Sequence, residues 1–327
     1  MNAVEIVVWA SIAICAGLVV YATFIEPLML RLKRLDVRIP DLPPSLDGFT
    51  ICHMSDLHAV RFGRLETKLE RILAKMDADL CVITGDIGYV PVAIEVLRRL
   101  CASFRPKLGA FAVAGNGDYK VGVPSEIARD CAEFGIRFLF NESVLVSEGG
   151  RSLHVIGVDD PHCGFDDLAR AESGVTGEGF KLLLAHSPDV LVDVTNDSAD
   201  LILVGHTHGG QVRLPFLGAF WLHCRHDLGI SRGYYPPNAL SAKLGRDLSR
   251  VHLYVNTGIG GSWVKTRFMC PPEVALITLR SAELGVRSAE CSDFGFGISD
   301  CGLAGPRADG TVNAEPRTMY PERSFSV

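Results

Sequence analysis

The sequence places two histidines, His206 and His208, directly after a short apolar run. That run, residues 201–204, reads Leu-Ile-Leu-Val, which is typical of a strand buried on both faces of a sheet. Two imidazoles two residues apart at the end of a rigid strand can point into one small volume, and Gly209 and Gly210 leave room there for a ligand. Neutral imidazole is the commonest metal ligand in proteins. The pair therefore indicates a metal site, although His-x-His by itself is equally compatible with a structural role.

Ligand-type side chains recur at the ends of four further apolar runs. They are Asp56 and His58 after 50–54, Asp86 after 80–83, Asn116 after 110–113 and His186 after 181–184. Taken singly, an Asp in such a place is more often a helix cap, and an Asn is more often a turn residue. Five coincidences favour a shared site, because ligands in α/β folds bind beyond the carboxyl ends of the strands.

The seven side chains form a consistent set of carboxylate, amide and imidazole ligands. Such a set suits Mn, Fe, Zn or Co, and it exceeds what one tetrahedral zinc would use. It suffices for two ions if one carboxylate bridges them, and two ions about 3.5–4 Å apart form a hydrolytic clamp for phosphate esters. The sequence therefore predicts two divalent metal ions as cofactors.

Strands and helices alternate along the part of the chain that carries these residues. Apolar positions at helical spacing predict helices over 63–76 and 91–103, between the runs already described. Further strands are predicted at 137–140, 144–147, 153–158, 252–256 and 274–279. This alternation predicts an α/β layered fold over residues 48–280.

The motif series as a whole resembles that of the calcineurin-like metallophosphoesterases. Its members, in order, are Asp56-x-His58, Gly85-Asp86, Gly115-Asn116-x-Asp118, His186 and Gly205-His206-x-His208. The phrases from Ser55 to His58 and from Gly205 to Gln211 look like the membrane-anchored bacterial branch of that superfamily. The resemblance implies a four-layer αββα sandwich.

The resemblance also implies a role for each ligand-type residue. Asp56, His58 and His208 would hold one metal ion, and Asn116, His186 and His206 would hold the other. Asp86 would bridge the two ions. Asp86, Asn116 and His206 would then be catalytic, with a metal-bridging hydroxide attacking phosphorus in line with the leaving group.

One position departs from the family pattern. The third motif usually carries a histidine that assists the leaving group, and this chain has Gly117 there. Losing a general acid typically costs about 10²–10⁴-fold in rate. Either leaving groups of low pKa are favoured or another side chain substitutes, the candidates being His53, His162, His223 and His226. The alternative is a non-catalytic or weakly active metal-dependent protein that binds phosphate or lipid.

Two further roles are predicted near these motifs. Asp118 is expected to orient Asn116 or another ligand from behind. Arg213, which follows the last motif, is the candidate for gripping a substrate oxygen, and Arg61, Arg225 and Arg232 are alternatives. For each arginine, a solvated surface position is the other interpretation.

The first 47 residues predict attachment to a membrane. Residues 6–25 carry no charge, and about 20 such residues can span a bilayer, so 1–25 is predicted to be an uncleaved transmembrane anchor rather than a cleaved signal peptide. Residues 26–47, which are rich in proline, are expected to form a juxtamembrane linker. Lysines and arginines follow the span and none precedes it, which predicts a single-pass inner-membrane protein with its catalytic domain in the cytoplasm.

Composition restricts the partners. The net charge of −6, with no long basic run, argues against nucleic acid. The ten cysteines show no C-x-x-C pairing and are expected to be reduced thiols, which favours the cytosol. After Arg280 the periodicity vanishes, so 281–327 is predicted to be disordered. The expected partners are the bilayer, through the N-terminal helix, and a small-molecule or lipid-linked phosphodiester or pyrophosphate.

Overall fold

The apolar runs form strands of two six-stranded β-sheets within the described part of the chain. The computed structural model describes residues 1–88, 91–219, 222–261 and 265–282. Its strands are β1 Arg31–Ile39, β2 Thr50–Met54, β3 Leu80–Thr84, β4 Ala110–Val113, β5 Ile136–Phe138, β6 Glu142–Glu148, β7 Arg151–Gly157, β8 Phe180–Leu184, β9 Leu201–Val204, β10 Arg213–Leu214, β11 Gly218–Ala219, β12 Gly233–Tyr235, β13 His252–Val255 and β14 Glu273–Ser281. Its α-helices are α1 Ala3–Val20, α2 Arg64–Leu73, α3 Val92–Ser103, α4 Asn116–Val121, α5 Pro124–Ala132, α6 Leu168–Glu172 and α7 Pro237–Leu244.

Parallel pairing brings the ends of the motif-bearing strands to the same edge in each sheet. The first sheet has the order β1-β14-β2-β3-β4-β5, in which β2, β3, β4 and β5 are parallel neighbours. The second has the order β12-β13-β9-β8-β7-β6, in which β7, β8, β9 and β13 are parallel. The carboxyl ends of β2, β3, β4, β8 and β9 are therefore the places from which the ligand-type residues extend.

Three apolar cores separate four layers. The first core, which includes Leu97, lies between the first sheet and α2, α3 and α5. The second fills the space between the sheets, where Val82 and Leu203 are both buried. The third, which includes Leu240, covers the other face of the second sheet with α6 and α7. The order helix, sheet, sheet, helix confirms the predicted α/β four-layer sandwich.

The interval 26–47 differs from the juxtamembrane linker expected there. Residues 31–39 form β1, which pairs in parallel with β14 from Arg31 to Ile39 at the edge of the first sheet. Leu30 and Leu32 pack in the first core, whereas Leu35, Val37 and Ile39 pack in the second. This division follows the strand period of two, which sends alternate side chains to opposite faces. Leu32 and Leu35, which alternate with cations, are thus strand positions. Full burial of an apolar side chain such as Val37 contributes about 1.5–3 kcal/mol.

The N-terminal helix is long and apolar enough to cross a membrane. It continues from α1 to Leu28, giving 26 residues that include an 18-residue stretch with a mean hydropathy of 2.4. By length and composition this helix fits either a transmembrane anchor or a signal sequence.

The end of this helix is bonded to the segment 266–270 of the folded domain. The backbone N–H of Arg267 donates to the carbonyl of Ala22 at 2.9 Å. The buried carboxylate of Glu26 accepts from the N–H groups of Met269 and Cys270 at 3.0 and 2.5 Å. Residues 22–26 therefore belong to the packed domain rather than to a free tether. The predicted disordered tail, apart from Ser281 and Ala282, lies outside the described residues.

Candidate metal centre

Asp86 lies between histidines contributed by the two sheets. Its Oδ2 is 3.4 Å from Nε2 of His58, which follows β2. Its Oδ1 is 3.5 Å from Nε2 of His186, which follows β8. The two oxygens of one carboxylate thus face two different imidazoles, which is the arrangement that a bridging ligand requires.

A cluster forms on each side of Asp86. On one side, Nε2 of His208 is 3.4 Å from Oδ1 of Asp56 and 3.1 Å from Nε2 of His58. The ligand atoms of these three residues all lie within 4.8 Å of one another. Two imidazole nitrogens and a carboxylate oxygen at these distances can hold one cation between them.

The other cluster contains His186, His206 and Asn116. Nε2 of His186 is 3.0 Å from Nδ1 of His206 and 3.2 Å from Oδ1 of Asn116. One ligand atom from each of Asp56, Asp86 and His186 also lies within 4.8 Å of the other two, close enough to share an ion. The structure therefore brings all seven sequence-predicted ligand residues together.

Several of these residues have a positive φ, a backbone conformation that residues other than glycine rarely adopt. Among the described residues, nine non-glycine residues have positive φ, and five of them are ligand-type residues of this site: Asp56, His58, Asp86, His206 and His208. Left-handed backbone at a non-glycine residue costs of order 1–3 kcal/mol and persists where surrounding structure imposes it. The rest of the fold thus offsets a free-energy cost that is needed to point these side chains at one place.

Glycine at two neighbouring positions permits the close approach of the two sheets. A Cβ at Gly205 would lie 1.8 Å from Oγ of Ser55 and 2.4 Å from Oδ2 of Asp56. A Cβ at Gly85, where φ is +80°, would lie 2.5 Å from Nδ1 of His186. No larger residue fits these positions without displacing a ligand.

Hydrogen bonds on the far side of two imidazoles decide which nitrogen faces the centre. Nδ1 of His186 donates to the carbonyl of Thr84 at 2.7 Å, and Nε2 of His206 donates to the carbonyl of His223. The opposite nitrogen of each ring is left with its lone pair toward the cluster, as a metal ligand needs.

Asp118 accepts hydrogen bonds from the backbone around the centre. It accepts from the N–H groups of Asp86, Ile87 and Gly115, each at 2.9 Å. Burial, with the nearby Asp86 charge, raises the pKa of Asp118 to about 7. Gly117 contributes its N–H, which donates to Oδ1 of Asp86 at 2.6 Å.

The electrostatics of the site fit a divalent cation. Burial raises the pKa of Asp56, and its Oδ1 has no hydrogen-bond partner among the described residues. Burial opposes charge on His186, but Asp86 and Asp56 together raise its pKa to about 9. The carboxylates therefore attract positive charge into a buried space, where a metal ion can replace the proton.

The two motif histidines from β9 remain neutral. Burial, followed by neighbouring imidazoles, holds the pKa of His206 and of His208 well below the ordinary value. A neutral imidazole is the form that binds metal. Both residues are thus ready to act as ligands near neutral pH.

The candidates for replacing the missing acid separate into two groups. His53 is fully buried with Nε2 2.9 Å from Oγ1 of Thr84, so it is a core residue. The rings of His162 and His223 lie 4.6 and 5.8 Å from the ring of His206. The backbone N–H of His226 donates to Oδ1 of Asp189 at 2.8 Å. Two of the four candidates therefore border the centre.

Arg213, the candidate for binding a substrate oxygen, points into the protein. Its side chain is buried, and Nη1 donates to the carbonyl of Gly209 at 2.9 Å and lies 3.4 Å from Oγ of Ser231. These bonds brace the loop after the last motif and draw the guanidinium into the protein interior. The structure therefore favours a structural role for Arg213.

Sequence reasoning missed Arg267, a fully buried arginine behind His208. Its guanidinium donates to the carbonyls of Thr257, Gly258, Gly260 and Cys270 and has a nitrogen 3.4 Å from Nδ1 of His208. Its other acceptors are backbone carbonyls, which leave no side-chain motif in the sequence. The same holds for Glu26, whose acceptor role is visible only once the chain is folded.

Comparison with known proteins identifies relatives across most of the chain. The sequence model of the family described as calcineurin-like phosphoesterase matches residues 49–210. The uncharacterized metallophosphoesterase YkuE of Bacillus subtilis is 29% identical over 272 residues, covering 80% of this chain and 89% of its own length. The UDP-2,3-diacylglucosamine pyrophosphatase LpxG of Chlamydia muridarum is 26% identical, with coverages of 79% and 92%. The phosphodiesterase YaeI of Escherichia coli is 28% identical, with coverages of 83% and 95%.

Proposed function

Because the chain belongs to the calcineurin-like metallophosphoesterase superfamily and is a hydrolase of that class, we propose that it cleaves phosphodiester or pyrophosphate bonds with the help of two divalent cations. The observation that carries this proposal is the position of Asp86, whose two carboxylate oxygens face His58 and His186 at 3.4 and 3.5 Å.

The ligands divide between the two cations on either side of Asp86. Asp56, His58 and His208 would hold one ion, Asn116, His186 and His206 would hold the other, and Asp86 would contact both. When bound, such a pair neutralises charge on the phosphoryl oxygens and makes the nucleophile available near neutral pH. Mn, Fe, Zn and Co all suit this ligand set.

The protein's own groups keep the ligands in place during turnover. Gly117 N–H and the backbone bonds of Asp118 hold Asp86, while the carbonyls of Thr84 and His223 hold the rings of His186 and His206. Preorganised groups need no rearrangement as charge develops in the transition state. The catalytic roles of Asp86, Asn116 and His206 are part of this proposal.

The substrate proposed is a diester or pyrophosphate of a small or lipid-linked alcohol. Gly117 supplies no side-chain proton donor, so leaving groups of low pKa are favoured, and an anhydride phosphate is one such group. Support comes from the names of two relatives, a phosphodiesterase and a pyrophosphatase. The N-terminal helix, as a single-pass anchor in the inner membrane with the catalytic domain in the cytoplasm, would present the site to amphiphilic phosphates.

Metal-dependent hydrolysis by the full-length chain in detergent tests the proposal. The chain is loaded with Mn, Fe, Zn or Co and given bis-p-nitrophenyl phosphate. We expect turnover that Asp86→Ala and His206→Ala abolish, while Asp197→Ala, at a side chain that is 85% exposed, leaves it unchanged. If two ions bind and no metal supports turnover, the protein is instead a metal-dependent binding protein. That alternative arises because Gly117 stands where the family usually has a histidine.

Topology has its own test. An alkaline phosphatase reporter fused after Arg280 should be silent if the domain faces the cytoplasm. Reporter activity would place the domain on the other side of the membrane.

A further inference from the structure

A cavity of about 480 Å³ opens beside His58. Its wall runs from Pro27 and Leu28, at the end of the N-terminal helix, to Leu57 and His58, at the end of the first motif. This volume lies within the range of small-molecule sites, roughly 300–1,000 Å³. The cavity therefore has room for part of a ligand whose reactive group reaches the metal centre.

His58 is the most exposed of the seven ligand-type residues. Its side chain is 22% exposed, whereas those of Asp86, His186 and His208 are at most 7% exposed. Because His58 lines the cavity and also contacts Asp86, one side chain separates a ligand in the cavity from the bridging carboxylate.

The floor of the cavity is apolar. Leu57 and Ile259 are buried, and Phe62 and Leu65 are half-buried against the first core. Val60, at the surface, is 49% exposed. Apolar lining of this kind gains from covering hydrocarbon, about 0.8 kcal/mol for each methylene buried.

Cations surround the apolar floor. Arg61, Arg64 and Lys265 are exposed, and none of them makes an ion pair with a described residue. Glu66 is the acidic residue among the lining side chains, and its Oε2 is engaged with the N–H of Gly63 at 2.8 Å. The rim is thus positive and suits phosphate oxygens.

The cavity is continuous with the end of the apolar helix. Leu28 belongs both to the cavity wall and to the 26-residue span, and it is 39% exposed. Glu26 and Ala22 bond this end of the helix to the segment 266–270, so its place beside the cavity is fixed. A helix that crosses the bilayer would therefore bring the cavity mouth to the membrane surface.

We propose that this cavity receives the hydrocarbon part of an amphiphilic phosphate ester that arrives from the bilayer. The apolar floor covers the first methylenes of the chain, the cations at the rim attract the anionic ester, and the scissile phosphorus reaches the metal centre past His58. This assignment rests on the proposed function, because it names the class of substrate for the same site.

A pair of esters with the same leaving group isolates the role of the cavity. p-Nitrophenyl dodecyl phosphate and p-nitrophenyl methyl phosphate differ only in the alkyl chain, and kcat/KM is measured for both with the full-length chain in detergent. We expect a preference for the dodecyl ester of at least about tenfold, the effect of burying roughly two methylenes. Val60→Glu and Leu28→Glu should each reduce the ratio of the two kcat/KM values by about tenfold.

Val123→Glu is the matched control. Val123 is 53% exposed, close to the exposure of Val60, and it lies outside the cavity. Because every variant sits in the same detergent, partition of the dodecyl ester into micelles cancels in the comparison. The control should retain the ratio and the rate on the methyl ester.

A binding measurement separates failure of the cavity from failure of the proposed function. Binding of dodecylphosphonate to the metal-loaded protein is measured by titration calorimetry for the wild type, Val60→Glu and Val123→Glu. If neither ester is hydrolysed but Val60→Glu alone loses phosphonate binding, the hydrolase proposal fails and the cavity assignment stands. If esters are hydrolysed but Val60→Glu keeps both the dodecyl preference and phosphonate binding, the cavity assignment is overturned.

Discussion

Replacing Arg267 by alanine should loosen the metal centre from behind. The side chain is 1% exposed, and its guanidinium donates to carbonyls on both sides of the loop that follows β13. That loop packs against His208, whose own carbonyl accepts from Sγ of Cys270 at 3.2 Å. Removing the guanidinium therefore leaves several buried acceptors without donors next to a ligand.

The size of the effect follows from these bonds. A buried acceptor that loses its donor costs about 1–3 kcal/mol, and breaking a buried charged network costs about 3–5 kcal/mol in total. For a domain of this size, that loss lowers the melting temperature by roughly 10 °C. Loss of a residue that holds a metal ligand in place, as Arg267 holds His208, typically lowers metal affinity by about 10–100-fold.

The loss of stability is measured as the change in melting temperature, and the loss of metal affinity is measured for Mn²⁺ by titration calorimetry. Arg267→Lys keeps the charge but not the planar set of donors, so it should fall between the wild type and Arg267→Ala. Arg98→Ala, at a side chain that is 47% exposed, should change neither quantity. A melting temperature within about 3 °C of the wild type, together with unchanged Mn²⁺ affinity, would refute the reasoning.

Three further predictions concern other parts of the molecule. Burial opposes charge on Asp79, but bonds from Thr50, Lys107 and Arg151 stabilise it and the pKa of Asp79 lies below its ordinary value. The ionised Asp79 carboxylate therefore stabilises the fold above about pH 4, and this stabilisation is lost as the pH falls through the folded-state pKa. Asp79→Asn should lower the free energy of unfolding, measured by urea titration, by about 2 kcal/mol at neutral pH and by progressively less in acid. Gly205→Ala places a Cβ 2.4 Å from Oδ2 of Asp56 and should abolish calorimetric binding of at least one Mn²⁺ ion. Gly17→Ala, in α1, where a Cβ meets nothing within 4 Å, should leave both ions bound. Glu26→Ala leaves the N–H groups of Met269 and Cys270, the latter buried, without an acceptor and should lower the free energy of unfolding by about 2–4 kcal/mol. Glu5→Ala, at an exposed residue, should have no effect on the melting temperature.

The seven ligand-type residues were predictable because each follows an apolar run. Asp56, Asp86 and His186 are far apart in the chain, but carboxyl ends of parallel strands meet at one edge of a sheet, and the sheets face each other. The spacing of apolar residues then sufficed to place them together. Which nitrogen of each imidazole faces the centre was not predictable, since carbonyls from other segments decide it.

Contacts between remote segments account for what the sequence did not reveal. The strand β1 lies beside β14, about 240 positions later, so its alternating leucines could not be distinguished from a surface stretch by local pattern alone. Arg213 followed the last motif as a substrate-binding residue would, yet its acceptors at Gly209 and Ser231 draw it inward. In both cases the partner, rather than the residue itself, determines the role.

The pairing of β1 with β14 has a practical consequence for purification. A truncation at Asp47, the natural choice for making this chain water-soluble, would remove the whole of β1 and bare the edge of β14 from Glu273 to Ser281. Bare edges of that length recruit strands from other molecules, so such a preparation should precipitate or form soluble aggregates. Replacing outward-facing apolar residues within α1 by polar ones, while keeping everything from Tyr21 onward, offers a better route to a monodisperse sample.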